Sequence, residues 1–441
     1  MRSRFQLSAL LLWALVTSVN GETVKDREGA VRGDKAKLEN SARWNYNDVD
    51  AGFRLAKETG KPLLVVLRCI PCMACMGIDT TVLDDPALEF LLDQFVCVRI
   101  INANALDLNK FQFDYDLSFS ALLFNGDGTL YGRYGSWLHQ KDPLNKTTAS
   151  FTKALGAALA IHKGYPSNKA SLAGKQGATM PYKTPVEFPT LSAKYQSKLD
   201  WNGKLVASCV HCHMIGDAVR ANYRSQNQPI PLEWIYPQPS PETLGLVLAT
   251  DEIAKVESVN TDSAGANAGM QAGDSILTLN QQPLISMADV GWILHRASDS
   301  GPLAATLRRN GQDMNVTLNL PSGWRSRSDI SKRVGTWPMR AMAFGGMNME
   351  DLDEEARNTA GLPKDAMALR IKHVGEFGAH AAAKKEGFKR DDILIQVGDM
   401  KQRTTESALI GYLLQHHSPG EKIAATVLRG NERIELKLPQ Q

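Results

Sequence analysis

Two closely spaced cysteines near the start of the chain could perform thiol–disulfide chemistry. Cys72 and Cys75 form a Cys-x-x-Cys pair that follows the apolar run at residues 63–67. A pair placed just after a buried strand is typical of a thiol–disulfide centre. The pair therefore predicts catalytic cysteines at these two positions.

A second cysteine motif predicts a different chemistry. Cys209, Cys212 and His213 form the pattern Cys-x-x-Cys-His, which is typical of a covalent c-type haem. The two thiols would form thioether bonds to the porphyrin, and His213 would be the proximal ligand of the haem iron. A second dithiol, or a zinc pair with His211 and His213, are the alternatives.

The other cysteines are open to less specific interpretations. Cys69 and Cys72 form an overlapping Cys-x-x-Cys, so a three-cysteine metal site with Cys75 is an alternative, although no fourth ligand lies nearby in the sequence. Cys97 lies in an apolar run and is expected to be a buried, inert thiol.

The beginning of the chain predicts export. Arg2 and Arg4 precede a mostly apolar stretch at residues 5–16, and small residues follow at 19–21. This pattern is typical of a cleaved signal peptide over residues 1–21, and an uncleaved anchor is the alternative. The apolar stretch is too short for a membrane span, and no later run is long enough. The sequence therefore predicts a secreted or periplasmic bacterial protein with no membrane span after cleavage.

Composition excludes some classes of function. The chain has 441 residues and a net charge of +3, and no basic stripe indicates nucleic-acid binding. Six cysteines are few for a disulfide scaffold of this length, and their clustering suggests chemistry rather than cross-linking.

Strand and helix patterns place the first motif in an α/β domain over residues 40–165. Buried strands are predicted at 63–67, 95–100 and 121–124, and a turn at 125–128 leads into a hairpin. This order, with its "GKPLLV", Cys-x-x-Cys, "DP" and "FV" segments, resembles the secreted branch of the thioredoxin-like family.

The resemblance implies roles for the first cysteine pair. Cys72 would be the attacking thiol at the exposed start of a helix, where the helix dipole stabilises a thiolate, and Cys75 would be the resolving thiol. Family members usually carry a cis-proline beside the pair, and Phe119 stands at that position here. Client docking against that loop therefore differs from the family pattern.

The next segment, residues 166–235, combines a predicted linker with the haem motif. Proline, serine, lysine and glycine are frequent over 164–190, which is typical of a connection between domains. The haem segment is small for a cytochrome and would depend on its neighbours.

The remainder of the chain contains an internal repeat. Residues 268–277 and 386–394 are similar, and each is followed by a helical stretch and a hairpin. The repeats resemble PDZ domains in the arrangement found on periplasmic proteases, over 236–325 and 338–441.

The PDZ resemblance implies partners. PDZ domains bind the C-termini of proteins or peptides by adding a strand to a sheet edge. Leu244, Gly245 and Leu246 would form the carboxylate loop of the first repeat, and the segment at 362–363 would precede the loop of the second. Modules that only pack against their neighbours are the alternative. No protease motif accompanies them.

The complete order resembles a group of bacterial thioredoxin–PDZ proteins, some with selenocysteine at the redox motif. It implies a multidomain α/β plus β-rich fold: a thioredoxin-like domain, a small haem-binding segment and two PDZ domains. The predicted function is an extracytoplasmic thiol–disulfide oxidoreductase. It would recruit protein clients, use a redox partner protein and carry a covalent haem c for electron transfer. The alternatives are a non-catalytic PDZ scaffold and a haem electron carrier.

Overall fold

The computed structural model describes residues 26–70, 82–135 and 147–441. Cys72, Cys75 and the predicted signal peptide lie outside the described residues. Within these three ranges, no helix combines the length and apolar character needed to cross a membrane.

The N-terminal domain is built on a five-stranded mixed sheet with the order β1–β3–β2–β4–β5. β1 and β2 run parallel to β3, whereas β4 is antiparallel to β2 and β5 is antiparallel to β4. The strands are β1 (Trp44–Tyr46), β2 (Leu63–Arg68), β3 (Val96–Ile100), β4 (Phe119–Phe124) and β5 (Leu130–Tyr134).

Helices cover both faces of this sheet. They are α1 (Arg27–Leu38), α2 (Val49–Thr59), α3 (Glu89–Leu92) and α4 (Thr148–Lys163). α2 begins where Asp48 Oδ1 accepts a hydrogen bond from the Ala51 N–H at 2.8 Å, and it ends at Gly60, which has φ 68. Because both faces are covered, all six residues of β2 are buried, which explains its continuous apolar sequence.

Residues 164–235 fold onto the thioredoxin-like domain instead of forming an extended linker. Their helices are α5 (Pro189–Ser192), α6 (Cys212–Ser225) and α7 (Leu232–Ile235). Scattered apolar side chains anchor the segment, and the buried ones include Leu172, Phe188, Leu191, Tyr195 and Leu199. The prediction of a linker missed this packing because the apolar residues are few among proline, serine, lysine and glycine.

The first repeat has a pair of strands and a four-stranded sheet of order β11–β10–β8–β9. Its elements are β6 (Leu246–Leu248), β7 (Val256–Val259), α8 (Ala264–Asn267), β8 (Ser275–Leu279), β9 (Gln282–Pro283), α9 (Met287–Arg296), β10 (Gly301–Arg309) and β11 (Gln312–Leu320).

The second repeat has one five-stranded antiparallel sheet in sequential order. Its elements are α10 (Thr336–Phe344), β12 (Met347–Asp351), α11 (Glu354–Thr359), β13 (Leu369–Val374), α12 (Ala382–Lys385), β14 (Ile393–Val397), α13 (Glu406–His416), β15 (Lys422–Arg429) and β16 (Glu432–Pro439).

An identical side-chain pair shows that the two repeats share one structural plan. Arg309 binds Asp274 through two hydrogen bonds of 2.7 and 2.8 Å, and Arg429 binds Asp392 with the same two distances. Asp274 and Asp392 immediately precede β8 and β14. Arg309 and Arg429 are the last residues of the neighbouring strands β10 and β15. The position before the second aspartate is Asp391, which adopts φ 69 where Gly273 of the first repeat has φ 92.

A buried ion pair joins the first repeat to the 164–235 segment, and hydrogen bonds join it to the thioredoxin-like sheet. Asp289 of α9 lies 2.8 Å from Lys175 Nζ, and both side chains are fully buried. Asp289 also accepts hydrogen bonds from the backbone N–H groups of Arg133 and Ile285, and Ser286 Oγ donates to the Arg133 carbonyl at 2.6 Å. The start of α9 therefore pairs with the edge strand β5.

The connection between the repeats is fixed to the same domain. Arg333 donates to Asp116 at 2.9 Å and also to Asp114. All three side chains are buried. The two contacts together fix the first repeat and the inter-repeat segment against the thioredoxin-like domain.

We expect Lys175→Met to destabilise the protein strongly. The substitution leaves Asp289 buried without its ammonium partner, and breaking a buried ion pair from one side costs about 3–5 kcal/mol. Urea unfolding followed by tryptophan fluorescence would measure the loss.

Lys169→Met is the matched control, because Lys169 forms a 3.0 Å pair with Asp127 on the solvent-exposed surface, where ion pairs contribute little. Equal unfolding midpoints for the two variants would contradict the assigned role of Lys175.

Candidate functional site

The central strand β2 delivers a thiol to the second cysteine motif. Cys69 follows β2 directly, and its N–H donates to the Ser118 carbonyl at 2.9 Å. Its Sγ lies 3.2 Å from His211 Nδ1. Cys72 and Cys75 follow Cys69 in the sequence, so the chain enters the predicted redox motif beside the Cys-x-x-Cys-His segment.

Asn104 holds the second motif in place. Its side chain accepts a hydrogen bond from the Val210 N–H at 2.7 Å and donates to the Ser208 carbonyl at 2.8 Å and to the Gln196 carbonyl. Asn104 is completely buried, so these bonds form in an environment where they are strong. The sequence analysis named His211 only as an alternative zinc ligand and did not identify Asn104, because no local motif predicts the contacts of these two residues with distant parts of the chain.

The thiols of the second motif are packed inside this interface. Cys212 is 8% exposed and lies in the core cluster that contains Tyr115, whereas Cys209 packs beside Ile101 and Leu205. Burial raises the pKa of the Cys209 thiol to about 11. Such a thiol is a poor nucleophile at neutral pH.

The space beside these thiols does not fit a porphyrin. Cys69, Cys209 and Cys212 line a cavity of about 20 Å³, which is enough for roughly one water molecule. Sites that bind small molecules and cofactors usually measure about 300–1,000 Å³. The packing described here therefore does not accommodate the group that the motif predicts, and haem binding stays a prediction.

The predicted iron ligand has a carboxylate neighbour. His213 is the second residue of α6, and its Nδ1 lies 3.5 Å from Asp217. Asp217 in turn accepts a hydrogen bond from Arg220 at 2.6 Å. Met214, which adjoins His213, accepts a hydrogen bond from the Tyr195 hydroxyl through its sulfur. Burial lowers the pKa of the neighbouring His211 imidazole, with a further contribution from His213.

The predicted carboxylate loop of the first repeat precedes a strand. Leu244 and Leu246 are buried, and Gly245 between them adopts φ 78. The Gly245 carbonyl accepts a hydrogen bond from the N–H of Asn260, the residue that follows β7. Because hydrogen bonds alternate along an antiparallel strand, the N–H groups of Leu246 and Leu248 face away from β7, on the side where an added strand would pair.

The corresponding loop of the second repeat is not next to residues 362–363, as the sequence comparison suggested. The first strand of this repeat is β12, and it follows Gly345 and Gly346, which have φ 60 and 94. Their N–H groups donate to Ala341 and Arg340 of α10. The sequence pattern favours β13 as the counterpart of β6, because β12 and its two glycines lack an obvious apolar pattern.

The edge of the second repeat is already occupied by the protein itself. Glu406, the first residue of α13, accepts a hydrogen bond from the Met349 N–H of β12 at 2.7 Å. Arg340 of α10 binds the same carboxylate at 2.9 and 2.6 Å. An added peptide strand would have to displace this buried ion pair. At least one outward N–H group at this edge of the second repeat is therefore already bonded within the protein.

Comparison with known proteins shows two kinds of similarity. Residues 44–126 match the thioredoxin-like family. A probable periplasmic serine endoprotease, DegP-like, from Halomonas elongata is 25% identical over 163 residues, which is 36% of this chain and 32% of that protein. The chain thus spans about a third of the length of this curated relative.

Solved structures of HtrA-type proteases are also similar to parts of the chain. The serine endoprotease from Yersinia pestis is 28% identical over 17% of this chain and 27% of its own, with a TM-score of 0.16. The HtrA-type protease AlgW with a decapeptide is 15% identical over 31% of this chain and 44% of its own, with a TM-score of 0.20. The family match shows a thioredoxin-like domain in the chain, and the sequence match shows weak homology to the DegP-like protease.

Proposed function

We propose that this protein is an extracytoplasmic thiol–disulfide oxidoreductase. The observation that carries the proposal is the position of Cys69 at the end of β2, with its Sγ 3.2 Å from His211 Nδ1. The central strand of a thioredoxin-like sheet thus leads into the Cys72–Cys75 motif beside a second group of cysteines. The similarity to a periplasmic protease supports the compartment, in which disulfides persist.

The proposed reaction is reduction of a client disulfide. The Cys72 thiolate attacks one sulfur of the client, and a mixed disulfide forms while a client thiolate leaves. The Cys75 thiolate then attacks Cys72, which releases the second client thiol and leaves a Cys72–Cys75 disulfide. A redox partner protein supplies the two electrons that regenerate the dithiol.

The first repeat is the proposed recruitment module. Its edge strand β6 turns the N–H groups of Leu246 and Leu248 away from β7, and peptide addition to a sheet edge uses such groups. The corresponding edge of the second repeat is taken by Glu406. We therefore assign client recruitment to the first repeat alone.

We expect Cys72→Ser to abolish reduction of a disulfide substrate such as insulin, with a loss of at least about a hundredfold, because the attacking thiolate is removed. Turbidity of the insulin chains would measure the rate. Cys97→Ser is the matched control, because Cys97 is 1% exposed in β3 and burial raises the pKa of its thiol to about 12. A Cys72→Ser variant with wild-type activity would refute the proposed catalytic role.

The second motif gives a separate prediction. In protein made without haem maturation, Cys209 should be alkylated slowly at pH 7, because a thiol with a pKa of about 11 is a thiolate in roughly one molecule in ten thousand. The rate should rise steadily up to pH 11. Asn104→Ala should accelerate it by releasing the Val210 backbone. Mass spectrometry of the alkylated peptide gives both rates.

The same residues decide the haem question in protein purified from its native host. Colour that survives denaturation and acid–acetone extraction would establish covalent haem on Cys209 and Cys212, and would show that the segment unpacks during maturation. Colourless protein with both thiols open to alkylation after denaturation would refute the haem prediction.

Recruitment by the first repeat predicts a stoichiometry. The full chain should bind one equivalent of a peptide with a free C-terminus, since the edge of the second repeat is occupied. Isothermal titration calorimetry measures the ratio. Two equivalents would show that the second repeat also opens, and equal binding of the amidated peptide would contradict recognition of a terminal carboxylate.

A further inference from the structure

A cavity of about 300 Å³ lies where the thioredoxin-like domain, the first repeat and the inter-repeat segment meet. We call it the junction cavity, and its walls include Ser120, Arg133, Ser240, Met287 and Ser328. The volume is at the lower end of the range of small-ligand sites. It is therefore large enough for a small molecule or the end of a chain.

Four polar atoms of these walls have no hydrogen-bond partner among the described residues: Ser120 Oγ, Arg133 Nη1, Ser240 Oγ and Ser328 Oγ. Ser120 and Arg133 are each 2% exposed, and Ser328 is 8% exposed. Because buried polar groups in folded proteins nearly always have a partner, four such atoms around one cavity point to a bound polar molecule.

The charges at the Arg133 end of the cavity favour an anion. Arg133 donates its other N–H groups to two carbonyls, those of Gln112 and Lys175, and neither neutralises the guanidinium. The nearby carboxylate Asp289 already pairs with Lys175, so two buried cations share one buried anion. Burial lowers the pKa of Arg133 to about 9, and Asp289 opposes this effect.

The remaining charges limit the anion to a single negative charge. Asp114 lines the cavity, and it shares the single positive charge of Arg333 with Asp116. This side of the cavity therefore has an excess of negative charge and would repel a second negative charge on the ligand. The other charged residues of the lining are exposed and balanced in sign: Glu242, Asp329, Arg327 and Lys332.

The donor set matches a carboxylate. A carboxylate offers about four lone-pair sites, and the cavity offers one guanidinium N–H and three hydroxyl groups. Arginine is also a preferred partner of carboxylates in proteins. We propose that the junction cavity binds an organic carboxylate through Arg133, Ser120, Ser240 and Ser328.

Two sources could supply this carboxylate, a small organic acid or the C-terminus of a peptide. Residues 240–243 line the cavity, and Leu244 of the predicted carboxylate loop follows them directly in the chain. A peptide on β6 would thus end near the cavity, and this source rests on the recruitment function proposed above. The small-acid source is independent of it.

Thermal unfolding of the full chain with a defined ligand set tests the proposal. The probes are acetate, succinate, and an N-acetylated peptide ending in leucine, either as the free acid or as the amide. We expect at least one carboxylate to raise the midpoint in proportion to the logarithm of its concentration, whereas the amide should not. A response to small acids alone would support the cavity site while contradicting peptide recruitment.

The variants Ser120→Ala and Ser328→Ala identify the site. Neither hydroxyl has a hydrogen-bond partner among the described residues, so the unliganded protein should unfold at the wild-type midpoint. Each variant should bind the carboxylate about tenfold more weakly, because a hydrogen bond to a charged group is lost. Ser322→Ala, at an exposed position, is the matched control. No response to any carboxylate, or wild-type affinity in both variants, would overturn the proposal.

Discussion

The arrangement of this protein depends on how it covers its sheet edges. Edge strands present unpaired N–H and C=O groups that invite pairing with other chains. Here the start of a helix in each of the two repeats covers such an edge. Asp289 of α9 accepts from the Arg133 N–H of β5, and Glu406 of α13 accepts from the Met349 N–H of β12. The first contact joins the first repeat to the thioredoxin-like domain, whereas the second contact lies within the second repeat.

This use of carboxylates separates the tasks of the two repeats. In the second repeat Glu406 is neutralised by Arg340, which makes its edge part of the core. In the first repeat, Asp289 of the corresponding helix accepts a hydrogen bond from the thioredoxin-like sheet. This carboxylate therefore does not cover the edge of β6. The two repeats thus use their helix carboxylates for different contacts, because the acidic residue lies at a different position along each helix.

Local patterns in the sequence predicted much of the fold. Strands β2, β3 and β4, the turn from β4 into β5 and the hairpins of both repeats follow from apolar runs and turn residues, whose signals are short-range. β1 was not predicted, because its three residues form no apolar run. The contacts that fix the domains were not predictable, since Asn104, Lys175 and Arg333 belong to no motif. Arg309 and Arg429, which confirm the repeat in three dimensions, escaped notice because they lie far along the chain from their aspartates.

The contact between Cys69 and His211 changes how the two cysteine motifs relate to each other. Cys69 and His211 are separated by 142 residues in the sequence. A flexible linker between them would leave their encounter to diffusion. In the structure Asn104 and the packed segment at 164–235 hold His211 beside Cys69, so the proximity of these two residues is a property of the fold. The same packing closes the space beside Cys209 and Cys212. Cys209 and Cys212 are therefore part of the packing that holds the 164–235 segment against the end of β2.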